Sequence, residues 1–427
     1  MLAISTDKRH FLKDGEHFFF LADTVWSVFT NASMPDWITY LEHRKKQGFN
    51  TLQINVLPQW DRSKKTHTPH PFPIDEQGYY DISQPNHGYF DNARQMLMEA
   101  HNRGFEVALV LVWCSYVPGS WADKLQRTVM LRKNDIHRYV ALVHQWFSMV
   151  SPLYIISGDT GFESDDIIDY YTIALDTIKR LSPQSLTTLH IRGRLSEIPT
   201  RLKESDKIDF WFYQSGHNAQ HPEMAYTLAQ TFFNEYPEKP IINSEPCYEM
   251  MGYSRGQYGR FDRTAVRKAA WQSVLSGASA GITYGAHGLW SWHTRDSVYG
   301  TTMGEGFLPP YYWDEALDFP GADDYAWLKN LITRHQFWNL QPYTGLRDCP
   351  EPIRAARHGD HILIYVPYNI QLTLEYEPSL KQATIVELES QKTASFPLAR
   401  KDNDIVIPMT SFTGDCLYIL HDGSFTL

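Results

Sequence analysis

Long apolar runs are missing from this chain. No stretch approaches the roughly 18 residues that a membrane helix needs, so nothing in it is expected to span a bilayer. Blocks of like charge are missing as well: the formal charge of -10 is spread along the sequence, which argues against a nucleic-acid or anionic-membrane partner. A neutral or small ligand remains. Cysteine is scarce, and Cys114, Cys247, Cys349 and Cys416 show neither metal-type spacing nor the density of a disulfide framework, so free thiols are expected. Cys114 and Cys247 follow strand ends but read as small buried apolar residues. No Gly-rich phosphate cradle follows any strand, so no nucleotide or other cofactor is expected. Met1 to His10 has no apolar stretch to serve as a secretory core, so a cytosolic location is expected.

Aromatic residues are what the chain does have, at 14%, with 13 Trp, 25 Tyr and 22 Phe. Burial accounts for most of them. The excess gathers after strands, in Tyr79-Tyr80, Trp290-Ser291-Trp292 and Tyr311-Tyr312-Trp313. Flat apolar faces with a polar rim suit the C–H faces of sugar rings, a first pointer to a carbohydrate ligand. With 427 residues the chain exceeds the size of one ordinary core, so a large domain and a smaller one are expected.

Periodicity gives the layout. Residues 9 to 23 hold two apolar runs around Asp14-Gly15, a tight-hairpin signal, and the second run is a core strand ending at Asp23. Strand and helix patterns then alternate. Strands are expected at Thr51 to Leu57, Glu106 to Trp113, Leu153 to Ser157, Ser185 to Ile191, Asp209 to Gln214, Ile241 to Glu245 and Gly281 to Trp290. Helical stripes separate them, the weakest near Pro199 to Glu204. Eight strand–helix pairs are the repeat of a (β/α)8 TIM barrel, an α/β fold spanning residues 1 to 340. The long loop after Pro58, rich in Pro, His and Tyr, reads as a wall of the binding site. From 341 to 427 the texture changes to short alternating runs with turn signals and no helical stripe, the pattern of a small antiparallel β-sandwich domain.

Chemistry in such a barrel sits at the carboxyl ends of the strands. Those ends carry Asp23, Asn55, Trp113, Asp159, His190, Gln214, Glu245 and Tyr284 with His287. Pro246 stops the strand beside Glu245. Hydrolysis of a glycosidic bond needs two carboxyl groups, one to protonate the leaving oxygen and one to attack carbon or activate water. Three carboxylates allow three pairs, and periodicity does not choose among them. A metal-dependent hydrolase is the rival enzyme, but His217, His221, His287 and His293 lack the spacing of a metal site, so no metal is expected.

A resemblance makes the choice. F-F-F-L-A-D-T-V-W (18 to 26), K-K-Q-G-F-N-T-L-Q (45 to 53), S-G-D (157 to 159), Q-S-G-H (214 to 217), N-S-E-P-C-Y-E (243 to 249) and G-I-T-Y-G-A-H-G-L-W (281 to 290) look like the apiosidase-like glycoside hydrolases. These are barrel enzymes related to a large retaining clan, and the likeness runs through most of residues 9 to 340. The tail, with V-P-Y-N at 366 to 369, is similar to the sandwich that commonly follows this barrel and carries the label collagen-binding-type domain. The resemblance implies that Asp159 is the acid/base and Glu245 the nucleophile of a double displacement with retention. It further implies that Asp159 is protonated at rest, with the two carboxyl groups about 5 to 5.5 Å apart. The wider clan more often has Asn-Glu where this chain has Gly158-Asp159, which leaves the partner of a sugar 2-hydroxyl unassigned.

Asp23, Trp26, Trp113, Gln214, His217, Tyr284, His287 and Trp290 are candidate sugar contacts, although core packing accounts equally well for each tryptophan. Cys247 lies close enough to Glu245 that its alkylation is expected to block the site. Glu163 and Glu249 read as loop residues. The expected partner is an oligosaccharide, attacked from its end because the second-strand loop and the Arg295 to Asp318 stretch would close a pocket. The alternative is a non-catalytic carbohydrate-binding protein on a barrel scaffold, since fold does not entail activity.

Overall fold

Asp14 and Gly15 both take positive φ, 53° and 88°, the geometry of a two-residue hairpin turn that matches strand twist. In the computed structural model, which describes residues 2–65, 69–254, 257–300 and 307–427, this hairpin closes a three-stranded sheet. Its strands are β1 (Leu2–Ile4), β2 (Phe11–Lys13) and β3 (Glu16–Phe18). The apolar run that reads as one strand is therefore shared between two sheets. It leaves β3 and re-enters at β4 (Phe20–Thr24), the first strand of the barrel.

Seven further strands complete an eight-stranded, all-parallel sheet. They are β5 (Thr51–Asn55), β6 (Glu106–Trp113), β7 (Leu153–Gly158), β8 (Thr187–Thr188), β9 (Trp211–Tyr213), β10 (Ile241–Asn243) and β11 (Gly281–Tyr284). The order β8-β7-β6-β5-β4-β11-β10-β9 curls the sheet into a barrel, with β8 and β9 at the one seam. Helices pack outside it. In Met34–Gln47, for instance, Ser33 Oγ accepts the Asp36 N–H at 3.3 Å and Gly48 ends the helix at φ 98°. The fifth unit is short, with two residues in β8 and a four-residue helix at Thr200–Lys203. The last strand ends at Tyr284, and residues as far as Trp290 belong to the turn beyond it.

Two antiparallel sheets follow the barrel, six-stranded and four-stranded. Alternation divides the larger sheet's side chains between two cores. Ile362, Ile364, Tyr418 and Leu420 face the smaller sheet, while Leu363, Tyr365, Leu417 and Ile419 join the barrel's core. Strands Thr393–Pro397 and Ala399–Lys401 have no apolar signal in the sequence because both are largely exposed at sheet edges. Between barrel and sheets, Arg267 of helix Arg263–Val274 pairs with Asp415 at 2.6 Å and Asp324 at 2.8 Å, all three buried.

One buried acid makes the fold pH-sensitive. Glu249 Oε2 accepts the Tyr284 hydroxyl at 2.6 Å and the N–H of Gly321, first residue of helix Gly321–Arg334, at 2.8 Å. Burial raises its pKa from 4.5 to about 7. The folded state thus holds a proton that the unfolded chain releases near 4.5, so this contribution to stability is complete below that pH and lost as pH rises through about 7. Glu249→Gln keeps an acceptor without the charge. Denaturant titration is expected to find the variant more stable than wild type by up to about 3 kcal/mol at pH 8, with the gap closing near pH 4.5.

Candidate active site

Beyond the strand ends the barrel opens on a cavity of about 470 Å³ whose walls include both Asp159 and Glu245. Glu245 stands two residues past β10 and is 7% exposed. Burial alone would raise its pKa, but His190 and His217 more than offset that and hold it down to about 2. The tautomer of His217 follows from its neighbours. Its Nδ1 accepts the Tyr248 backbone N–H at 3.2 Å, so the ring proton is on Nε2, which donates to Glu245 Oε1 at 2.9 Å. His190 Nε2 lies 3.2 Å from Glu245 Oε2 on its other side. The Tyr248 hydroxyl accepts Trp26 Nε1–H at 3.0 Å, and burial, with the Glu245 charge behind it, raises the pKa of that phenol.

Asp159 has the opposite setting. It follows β7 directly, in the left-handed region at φ 51°, and its carbonyl accepts the Trp121 indole N–H at 2.7 Å. Burial first, then the charges of Glu245 and Asp61, push its carboxyl well above the ordinary range, with Arg192 pulling weakly the other way. Two carboxyl groups on one cavity therefore have pKa values driven apart. The glycine before Asp159 also has a cause. A Cβ at Gly158 would stand 2.3 Å from the Trp113 ring, so the asparagine of the wider clan cannot fit beneath this indole.

Of the candidate sugar contacts, Trp26, Trp113, Gln214, His217 and Trp290 line the cavity. Several of their polar atoms are buried without a partner among the described residues: Gln214 Oε1, Trp113 Nε1 and Trp290 Nε1, together with Asn218 Nδ2 on the same wall. Polar atoms left this way beside a cavity fit a ligand rich in hydroxyl groups. The expectations for Asp23, Tyr284 and His287 are overturned, because none of the three reaches the cavity. Asp23 and Tyr284 lie opposite each other in β4 and β11 with side chains turned to the helix layer, one residue out of phase with the barrel interior. There Asp23 accepts from Arg44 Nε at 2.6 Å and the Tyr40 hydroxyl at 2.9 Å, while Tyr284 serves Glu249. His287 is buried against the Met250 carbonyl.

The chain matches the family described as "Apiosidase-like, catalytic domain" over residues 5–339. The chain belongs to the apiosidase-like family. A structure titled "Glycoside hydrolase" is similar to it at 20% identity and TM-score 0.81, covering 100% of this chain and 97% of the other. A glycoside hydrolase family 5 protein from Bacteroides vulgatus ATCC 8482 gives 20% identity and TM-score 0.81, with 99% and 94% covered. At these identities the likeness is one of fold, and it extends through the C-terminal sheets. No curated protein matches the chain.

Other cavity residues of this apiosidase-like chain carry no sequence signal. Gln59 and Asp61 come from the loop after β5, Trp121 from the segment after β6, Arg192 and Arg194 from the segment after β8, and Tyr248 from the turn after β10. The β5 loop stands out in the sequence by its length. Phe307 is the cavity's contact from the Arg295 to Asp318 stretch, of which residues 301–306 lie outside the described residues. The aromatic clusters mostly serve packing: Trp292 stacks on Trp313 at 4.8 Å, and Tyr80 is buried against Tyr116. The expectation for Cys247 also fails, since its thiol is buried, off the cavity and pushed up to about 12 by burial, a poor target for alkylation.

Proposed function

We propose that this protein is a retaining glycoside hydrolase with Glu245 as nucleophile and Asp159 as acid/base. The observation that carries the reading is a pair of carboxyl groups on one cavity in opposed settings. Glu245 is held as an anion by His217 and His190, while burial and the charges of Glu245 and Asp61 favour the protonated form of Asp159. Asp159 gives that proton to the glycosidic oxygen as Glu245 attacks the anomeric carbon. Water, deprotonated by Asp159, then releases the sugar from Glu245 and restores both groups. The His217 bond aims the nucleophile, while Trp26 and Trp113, at 5.1 Å from each other, both pack against His190. A cavity walled by the β5 loop and Phe307 favours action at a chain end.

The test is release of chromophore from a panel of aryl furanosides and pyranosides by wild type and Glu245→Gln. Turnover of one sugar by wild type, lost by more than about a thousandfold in the variant, is the expected result. Silence of both proteins across the panel and on natural oligosaccharides would favour a barrel that binds sugars without cleaving them.

A further inference from the structure

We infer that Asp61, on the loop after β5, anchors the sugar in this cavity by accepting hydrogen bonds from two neighbouring hydroxyl groups. The inference rests on the cavity being a saccharide site, as in the hydrolase reading above.

Three observations carry it. The first is how Asp61 is held. Asn55, the last residue of β5, donates to Gln59 Oε1 at 2.8 Å, and Gln59 Nε2 donates to Asp61 Oδ1 at 2.9 Å. This relay fixes one carboxylate oxygen from behind. Among the described residues no other side chain donates to the carboxylate, whose remaining contact is with its own backbone N–H. The adjacent Arg62 turns its guanidinium to the Gln59 carbonyl at 2.6 Å and forms no ion pair with Asp61.

The second is what a structural acid looks like in the same molecule. Asp23, buried between β4 and its helix, accepts from Arg44, Tyr40 and the Thr24 N–H, and so has the donors that desolvation demands. Asp61 has a relay on one oxygen and a polar cavity in front of the other. The missing donors are what a sugar supplies: two adjacent hydroxyl groups reach the two oxygens of one carboxylate, in charge-assisted bonds stronger than those to a neutral acceptor.

The third is position. Asp61 lines the same cavity as Asp159 and Glu245, so a sugar ring set between those two lies on its cavity. A side chain at position 158 able to hold such a hydroxyl is excluded by the Trp113 ring. The charged and titratable groups around Asp61 are Asp159, Glu245, Arg62, Tyr299 and Cys114, and burial is the main reason its pKa rises to about 6.

Four tryptophans on the cavity report its occupancy. The experiment titrates tryptophan emission with free D-glucose, D-galactose, D-mannose, D-xylose and L-arabinose, using wild type, Asp61→Asn and Gln59→Met. At least one aldose is expected to bind wild type at pH 7.5, with affinity falling as pH drops through about 6 and the carboxylate becomes protonated. In Asp61→Asn the affinity is expected to be lower by about tenfold or more at pH 7.5 and to lose that pH dependence. Gln59→Met, which keeps the charge but not its alignment, should fall between and guards against misfolding of the first variant. Equal affinity in wild type and Asp61→Asn, or no aldose bound by wild type, would overturn the assignment. Binding that depends on Asp61 without turnover of any glycoside would leave the anchor standing and remove the hydrolase reading. Turnover with wild-type KM and kcat in Asp61→Asn would remove the anchor alone.

Discussion

Asp159→Asn is expected to lower kcat/KM by about 10² to 10⁴ on glycosides with poor leaving groups, and far less on dinitrophenyl glycosides, whose leaving oxygen needs no proton. Asparagine fills the same space but has no proton to transfer to the leaving oxygen. The pH profile should change with it. In wild type, activity is lost as pH rises through the pKa of Asp159, which burial, Glu245 and Asp61 hold well above the ordinary carboxylate range. Deprotonation removes the acid, so the loss lies on the alkaline side. Asp159→Asn should lack that limb. An equal loss on every leaving group, or an alkaline limb unchanged in the variant, would show that another group delivers the proton. Asp61 is then the first to test, as the remaining carboxyl on the cavity with a raised pKa.

Arg267→Met is expected to cost about 3 to 5 kcal/mol of stability, the loss typical of a buried ion pair deprived of one partner. The arginine is buried between two carboxylates that would be left without it: Asp415, 3% exposed, and Asp324, 6% exposed. Asp415 would keep the Tyr365 hydroxyl at 3.0 Å, and Asp324 would keep Arg263 at 2.8 Å. Neither bond replaces the lost interface charge. Because Leu363, Tyr365, Leu417 and Ile419 complete the barrel's core from the other side, barrel and sheets should unfold in one transition. Adding Asp415→Leu should recover part of the loss by removing one stranded charge. An early separate transition of the C-terminal sheets, with barrel stability unchanged, would contradict this coupling. By the same reasoning a chain ended at Gln341 should aggregate, its apolar barrel face uncovered, which makes the tail a support for the barrel.

The barrel was legible because eight alternations of period and two patterns of turn residue say the same thing repeatedly. His361–Val366 and Cys416–His421 are buried runs bounded by turns, the kind of segment whose ends a sequence marks. Less legible was anything decided by phase. Asp23 and Tyr284 end strands, as Asp159 and Glu245 nearly do, but a shift of one residue sends a side chain to the helix layer, and sequence carries no mark of that shift. His190 stood among the strand ends, yet its place beside Glu245 depends on β8 being two residues long and on the bridge from Thr160 to Ile191 that continues it. Asp61 was hidden in a loop whose length alone drew notice, because a side-chain relay such as Asn55 to Gln59 has no sequence signature. Gly158 could be seen to depart from the clan, and only the Trp113 ring above it explains why.

The most direct test of the central claim follows the hydrolysis of whichever aryl glycoside the wild type cleaves by proton NMR, within the first minutes and before the free sugar mutarotates. Double displacement through Glu245 inverts the anomeric carbon twice, so the first sugar released should have the anomeric configuration of the substrate. Release of the opposite anomer would mean a single displacement by water. Glu245 would then be a base and not a nucleophile, and Asp159 would keep its role as acid but lose its role as base.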